Sequence, residues 1–431
     1  MEKLYEITSE LHALTEISLV TGGIRSAGLP ISMYKPKENT ERSQVCVLAA
    51  HPSESVMYLE ILKEMAKHGF TTAGVPLGRL MSFEDDLTNL HAAVDFIKNF
   101  PGIKKVILLG HSQGGCITSM YQYVAENGIE RFRNPDRVIP FPEVGPLTPA
   151  DGLMLIDANH GCMDFLGVDP ALRNWQNGID RIPELDLWNP DNGFVEDGEH
   201  HYSQDFINAF EKAQLKRYKE IYAIAQQQLE DIKKGSGNLI DDGPFYIAGS
   251  NQSAYINKLI TMDNHLLHHT RTERPLLHNG GEFTHEVIVT QRQCLKPIRS
   301  ELYAGGRYWT LKRYLELQMK FDEDFHYDAT GIWGLDQDFN PHSTRANVKG
   351  IHVPLLLEGN QGNHEFVNID LTWDNAVSED KTLFFLSGAN HGFEVMTNAE
   401  KYPGEFGNPS ATFADYVAEE WLAKPGRFLE Q

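Results

Sequence analysis

The chain has 431 residues, of which 41% are hydrophobic and 10% aromatic, enough for one large domain with an insertion or for two domains, and too apolar for a disordered polymer. With 60 acidic residues against 38 basic ones the formal charge is −22, a surface that repels phosphate backbones and anionic headgroups, so no nucleic acid and no membrane is expected as a partner. Cys46, Cys116, Cys162 and Cys294 stand far apart without a C-x-x-C pair, no apolar run reaches the roughly 20 residues that span a bilayer, and the first residues lack a signal-peptide core, so a cytoplasmic protein with reduced thiols is expected.

In chain order, β-leaning stretches around residues 17–20 and 29–34, separated by Gly22-Gly23 and Gly28, predict an antiparallel hairpin at a sheet edge. A buried strand over 44–50 is stopped by His51-Pro52-Ser53. The next segment places Tyr58, Leu62 and Met65 on one helical face, and Gly69 ends it before a strand over 70–75. Ser82, with Asp85 three residues on, reads as a capping box for a helix carrying Leu87, Leu90, Val94 and Ile97 on one stripe, closed by Pro101-Gly102. This alternation predicts right-handed crossovers and a mainly parallel sheet covered on both faces.

Val106 to Leu109 is a short apolar run of the kind buried on both faces, and Gly110-His111-Ser112-Gln113-Gly114 follows it with no spacer. Residues 117–124 lack Gly and Pro and suit a helix. G-x-S-x-G alone arises by chance in roughly one chain in seven of this length, so the strand before it, the helix after it and the extra Gly115 are what give it weight. At these residues the sequence resembles the α/β-hydrolase superfamily, over about 44–161 and 350–425. The resemblance implies an α/β-hydrolase fold, a mainly parallel doubly wound sheet with Ser112 exposed at its carboxyl edge.

A strand over 152–157 follows a proline-rich loop, and from Cys162 the character changes. A long helix over 203–234 carries Tyr218, Tyr222, Ala225, Leu229 and Ile232 at helical spacing, and a second helix is predicted over 308–320. The sheet pattern resumes at 351–357 and 383–386, and a last helix over 411–423 ends ahead of Pro425. The expected organisation is therefore a core formed by 1–161 and 347–431, with 162–346 inserted as a largely helical cap over the carboxyl edge.

A serine hydroxyl needs a base, and Gly388-Ala389-Asn390-His391-Gly392-Phe393 sits directly after the last apolar strand, where the resemblance implies the catalytic histidine. The position where these proteins usually carry the acid, just beyond Gly359, holds Gly362 and Asn363 instead. Glu365, the first carboxylate beyond it, is the expected acid, and Asp157, ending the strand after the elbow, is the alternative. Backbone donors for a developing oxyanion are expected from Gln113, by position, and from Ser53, because Pro52 has no N–H. Glu199-His200-His201 and His265-x-x-His268-His269 lack an H-E-x-x-H arrangement and a third ligand, and no dinucleotide or P-loop motif occurs, so no metal and no cofactor is expected.

These readings converge on a serine hydrolase that cleaves a carboxylic ester or lactone through an acyl-enzyme on Ser112. Trp175, Trp188, Tyr255, Trp309 and Trp333 in the insertion imply an enclosed, partly apolar pocket and hence a bulky small-molecule substrate. The same residues would serve a C–C bond hydrolase or an acyltransferase. From a different class, a ligand-binding protein of this fold without turnover fits if neither acid reaches His391. Substrate identity and assembly into a homo-oligomer remain open.

Overall fold

The computed structural model describes residues 4–14, 28–78, 81–161, 168–174, 177–195, 201–248, 268–290, 306–396 and 405–429. Strands β1 (Ile7–Leu14) and β2 (Leu29–Pro36) pair antiparallel from Ile7↔Pro36 to Leu14↔Leu29. The edge hairpin is thus present, but its first strand lies earlier than expected, and the stretch at 17–20 falls outside the described residues. Next come β3 (Val45–His51), helix α1 (Glu60–Lys67), β4 (Thr71–Pro76), α2 (Phe83–Lys98), β5 (Lys105–His111), α3 (Gln113–Asn127) and β6 (Gly152–Ile156). Tyr58, expected on the buried face of α1, precedes that helix and is exposed.

The strands alternate because both faces are covered. Val45, Val47 and Ala49 of β3, with Ile107 and Leu109 of β5, pack toward Ile61, Leu62 and Met65 of α1. Cys46, Leu48, Val106 and Leu108 face the other way, toward Leu87, Leu90, Val94 and Ile97 of α2 and Ile117 and Met120 of α3. The capping box predicted for α2 is formed, with Ser82 Oγ accepting from Asp85 N and Asp85 Oδ2 accepting from Ser82 N.

The insertion continues with β7 (Leu172–Asn174), β8 (Asn177–Arg181), the long helix α4 (Gln204–Lys234), β9 (Pro244–Ala248), β10 (Arg274–Leu277), β11 (Phe283–Glu286), β12 (Gly306–Thr310), α5 (Leu311–Glu316), β13 (Phe321–Asp328), β14 (Gly331–Leu335) and α6 (Thr344–Asn347). The long helix has its expected bounds and buries Tyr218, Tyr222, Ala225 and Leu229. The helix expected over 308–320 is mostly not helical. Tyr308 and Trp309 are strand residues paired with Tyr246 and Phe245, and only the six residues that begin after Thr310, which caps them, are helical. Aromatic side chains favour that pleated pairing over a helix. Trp188 and Trp309 are buried in the core, whereas Trp175 and Tyr255 lie outside the described residues.

After the insertion the chain adds β15 (Leu355–Asn360), α7 (Phe366–Asn375), β16 (Lys381–Leu386) and α8 (Pro409–Tyr416), the last prolonged by a π-helical turn at Val417–Leu422. Strands β15 and β16 join a ten-stranded sheet of order β1-β2-β4-β3-β5-β6-β15-β16-β10-β11, parallel from β4 to β10 and antiparallel at both ends, while β7-β8, β9-β12 and β13-β14 form separate pairs. Two of these strands, β10 and β11, come from within 162–346. That interval, expected to be a largely helical cap, therefore supplies strands to the sheet and contains more strand pairing than its periodicity implied. No described helix is long and apolar enough to cross a membrane.

The insertion is fastened to the sheet by a buried charge cluster. Arg313 of α5 donates to Asp86 Oδ2 of α2 at 2.8 Å, both residues are almost fully buried, and Glu316 accepts from Phe83 N at 3.1 Å. Burial raises the Asp86 carboxyl to about 7, partly offset by Arg313. Asp86→Ala, which strands the guanidinium, should destabilise by about 3–5 kcal/mol, whereas replacing Asp86 and Arg313 together with leucine and methionine should cost far less; urea unfolding of the two variants separates them.

Candidate active site

Three strand ends meet at the site. Strands β5 and β6 finish level, His111 opposite Ile156, so Ser112 and Asp157 emerge side by side at the carboxyl edge. Both residues carry positive φ, 56° at Ser112 and 42° at Asp157, a conformation that non-glycine residues rarely hold and that costs on the order of 1–3 kcal/mol each. Ser112 N–H donates to Ile156 O at 3.2 Å, while Ser112 O accepts from Gly115 N at 3.0 Å and Asn159 N at 3.3 Å, locking the two turns together. Gly114 and Gly115 permit this because a Cβ would lie 2.1 Å from Ala50 O at the first and 2.4 Å from the Ala158 Cβ at the second.

His391 follows β16, two strands away, and its loop folds back across β15. Its Nδ1 donates to Asp157 Oδ2 at 2.6 Å, and its carbonyl accepts from His111 Nε2 at 2.7 Å. Glu365 is also drawn in, with Oε2 3.6 Å from the same Nδ1. Of the two alternative acids, Asp157 therefore makes the short bond and Glu365 the longer contact. Asp157 is fully buried and satisfied elsewhere as well, accepting from Asn360 N at 3.2 Å and from Asn363 Nδ2 at 2.6 Å. The Asn363 amide thus holds the Asp157 carboxylate in place. Glu358, fully buried with both carboxyl oxygens lacking a hydrogen-bond partner, lies behind Asp157, and burial followed by the Asp157 charge pushes its carboxyl well above the ordinary range.

Two further residues shape the site that sequence reasoning did not single out. His111, the variable residue of the elbow before Ser112, packs against His391 with ring centroids 4.5 Å apart and planes inclined by 35°, and lies 6.2 Å from His51. Burial, then its histidine neighbours, keeps His111 neutral, its pKa well below the usual imidazole value. Asn368 of α7 donates to Ala158 O, Asn159 O and Thr344 Oγ1, each at 2.9 Å, and so pins the turn after Asp157. His111 was visible as part of the motif; Asn368 gave no signal, because its role depends on a helix packed from 200 residues away in sequence.

Gln113 opens α3, and its N–H belongs to the first helical turn, where donors have no intrahelical partner. Ser53 N–H, expected as the second oxyanion donor, instead donates to His51 Nδ1 at 2.9 Å. The insertion reaches the site through Thr290, whose hydroxyl donates to Asn363 O at 2.7 Å. A cleft of about 810 Å³ runs beside the histidine turn, bounded by Ser55, Tyr58 and Leu59 on one side and Gly392, Phe393 and Val395 on the other. Asp157, Glu365 and His391 place one polar atom each within 4.8 Å of one another, a spacing that the Asp157–His391 hydrogen bond accounts for. Glu199, His200 and His265 lie outside the described residues.

The parallel sheet, the strand-elbow-helix at Ser112 and the histidine after the last parallel strand in the chain define an α/β-hydrolase fold. No protein-family model matches the sequence, and no curated protein matches it. Among solved structures, the chain is similar to the hypothetical protein PA2218 from Pseudomonas aeruginosa, at 13% identity over 96% of this chain and 94% of that one, with a TM-score of 0.40. It is also similar to the siderophore hydrolase EstB from Aspergillus fumigatus, at 10% identity over 96% and 99% of the two chains (TM-score 0.41), and to esterase B from Lactobacillus, at 11% identity over 96% and 86% (TM-score 0.39).

Relief of the elbow strain gives a direct check on this geometry. Ser112→Gly should raise stability by about 1 kcal/mol in denaturant unfolding, because glycine adopts the positive φ at little cost; a loss of stability would mean that the elbow is not strained.

Proposed function

We propose that this protein is a serine hydrolase acting on the carboxylic ester or lactone of a small molecule. The observation that carries the reading is Ser112 held on a strained elbow, level with a buried aspartate that hydrogen-bonds His391 at 2.6 Å. In this reading Ser112 Oγ attacks the carbonyl carbon while His391 Nε2 takes its proton. Asp157 holds the imidazole in the tautomer with Nδ1 protonated and stabilises the imidazolium that forms. The alkoxide of the tetrahedral intermediate lies against Gln113 N–H, with Ser53 N–H as second donor once it leaves His51. Collapse breaks the ester C–O bond, His391 passes its proton to the leaving alcohol, and a water then hydrolyses the acyl-serine by the same steps in reverse. No cofactor enters this cycle.

Partial exposure of His391, at 31% of its side chain, is compatible with a base that meets substrate from the open side while its acid stays dry. A protein that binds a ligand without turnover is the second reading, and the Asp157–His391 bond weighs against it, since binding alone has no use for an oriented imidazole.

Intact mass after incubation with a fluorophosphonate decides between them. Wild type should gain one adduct and Ser112→Ala none, while His391→Ala and Asp157→Asn should react slower by on the order of 10³–10⁴-fold. An unlabelled, folded wild type would end the hydrolase reading.

A further inference from the structure

The acid side of the site holds more carboxyl groups than one histidine needs. Asp157 at 2.6 Å already orients the ring, yet Glu365 is buried to 1% of its side-chain surface with Oε2 3.6 Å from the same nitrogen. Among the described residues neither carboxyl oxygen of Glu365 has a hydrogen-bond partner. A buried carboxyl left without partners costs stability unless its proton or its charge is used. The residue sits at the entry to α7, held in place by the burial of Phe366 and Val367 after it and by the bond from Asn368 N to its carbonyl at 2.9 Å. Its backbone is therefore fixed with the carboxyl buried beside His391.

We propose, resting on the hydrolase reading, that Glu365 is a positioning residue acting through His391. It forms with His391 a proton-sharing pair that sets the pH above which the imidazole can serve as base. Asp157 fixes the ring; Glu365 decides when the ring is neutral.

The groups facing this pair are few. Asp157 lies across the ring nitrogen, and Glu358 stands behind Asp157. His111 packs with its ring tilted against that of His391, with His51 beyond it, and His364, next in the chain to Glu365, faces His268 at 6.2 Å. Burial opposes the imidazolium, but Glu365 and then Asp157 outweigh it and hold His391 above its ordinary pKa. Burial and the Asp157 charge likewise hold the Glu365 carboxyl above its ordinary value, with His391 pulling the other way. The sign follows: an ionised Glu365 favours His391 in its charged form, so base action appears only as pH rises and the pair gives up its protons in two coupled steps.

The test is the rate of Ser112 phosphonylation by a small fluorophosphonate across pH 5–10, for wild type and Glu365→Gln, with His391 followed in the wild type by ¹⁵N NMR. In Glu365→Gln the acid limb should move to lower pH by about one unit, so that labelling below the limb is about tenfold faster than in wild type. In the wild type the His391 ring should titrate in two steps, with its midpoint above that of a free imidazole. Superimposable limbs overturn the proposal while leaving the hydrolase reading intact, whereas absence of labelling in folded wild type removes that reading itself. Should Glu365→Gln fail to fold, a single-step wild-type titration at the ordinary position overturns the proposal alone.

Discussion

Everything at the site depends on how closely helix α3 approaches the sheet. With only hydrogens at 114 and 115, the helix start sits against the Ala50 carbonyl and the Ala158 side chain, and the elbow serine is forced into a backbone conformation it would not choose. That contact links three strands at once: β3 through Ala50, β5 through the elbow and β6 through the turn after Asp157. A side chain at either glycine would tilt the helix and carry the serine away from its neighbours. The chemistry is thus set by an absence of atoms at two positions.

From this anchor outward the polar groups are arranged by depth. Ser112, expected to stand exposed, is buried at 9%, the His391 ring is partly exposed, and Asp157, Glu358 and Glu365 are fully buried. In a low-dielectric interior carboxylates cannot all be ionised together. Asp157 accepts three hydrogen bonds, from His391, Asn363 and the Asn360 backbone. Glu358 and Glu365 have no such donors and stay protonated more readily. Hydrogen bonds from amides distinguish Asp157 from its two buried neighbours.

Much of this was legible in the sequence wherever a local signal existed. The elbow, the capping box at Ser82, the bounds of the long helix and the histidine after the last parallel strand in the chain each follow from residues within a few positions of one another. The ranking of the acids was not, because Asp157 and His391 are 234 positions apart and their distance depends on a register that adds β15 between β6 and β16. The same reason hid β10 and β11: a short strand at a sheet edge carries no pattern that distinguishes it from a hairpin elsewhere. Tyr308-Trp309 misled through helical spacing, where cross-strand pairing with Phe245 and Tyr246 prevailed.

The sheet order also has a consequence in time. Strand β6 pairs on one side with β5, made just before it, and on the other with β15, which begins at Leu355. During synthesis at roughly 5–20 residues per second, the inner edge of β6 stays unpaired for about 10–40 s while the insertion is being made. Ser112 and Asp157 exist throughout that interval, yet His391 does not. The nascent chain is consequently at its most vulnerable to wrong strand pairing while Ser112 and Asp157 still lack His391, and the three residues come together only after the central gap in the sheet is filled.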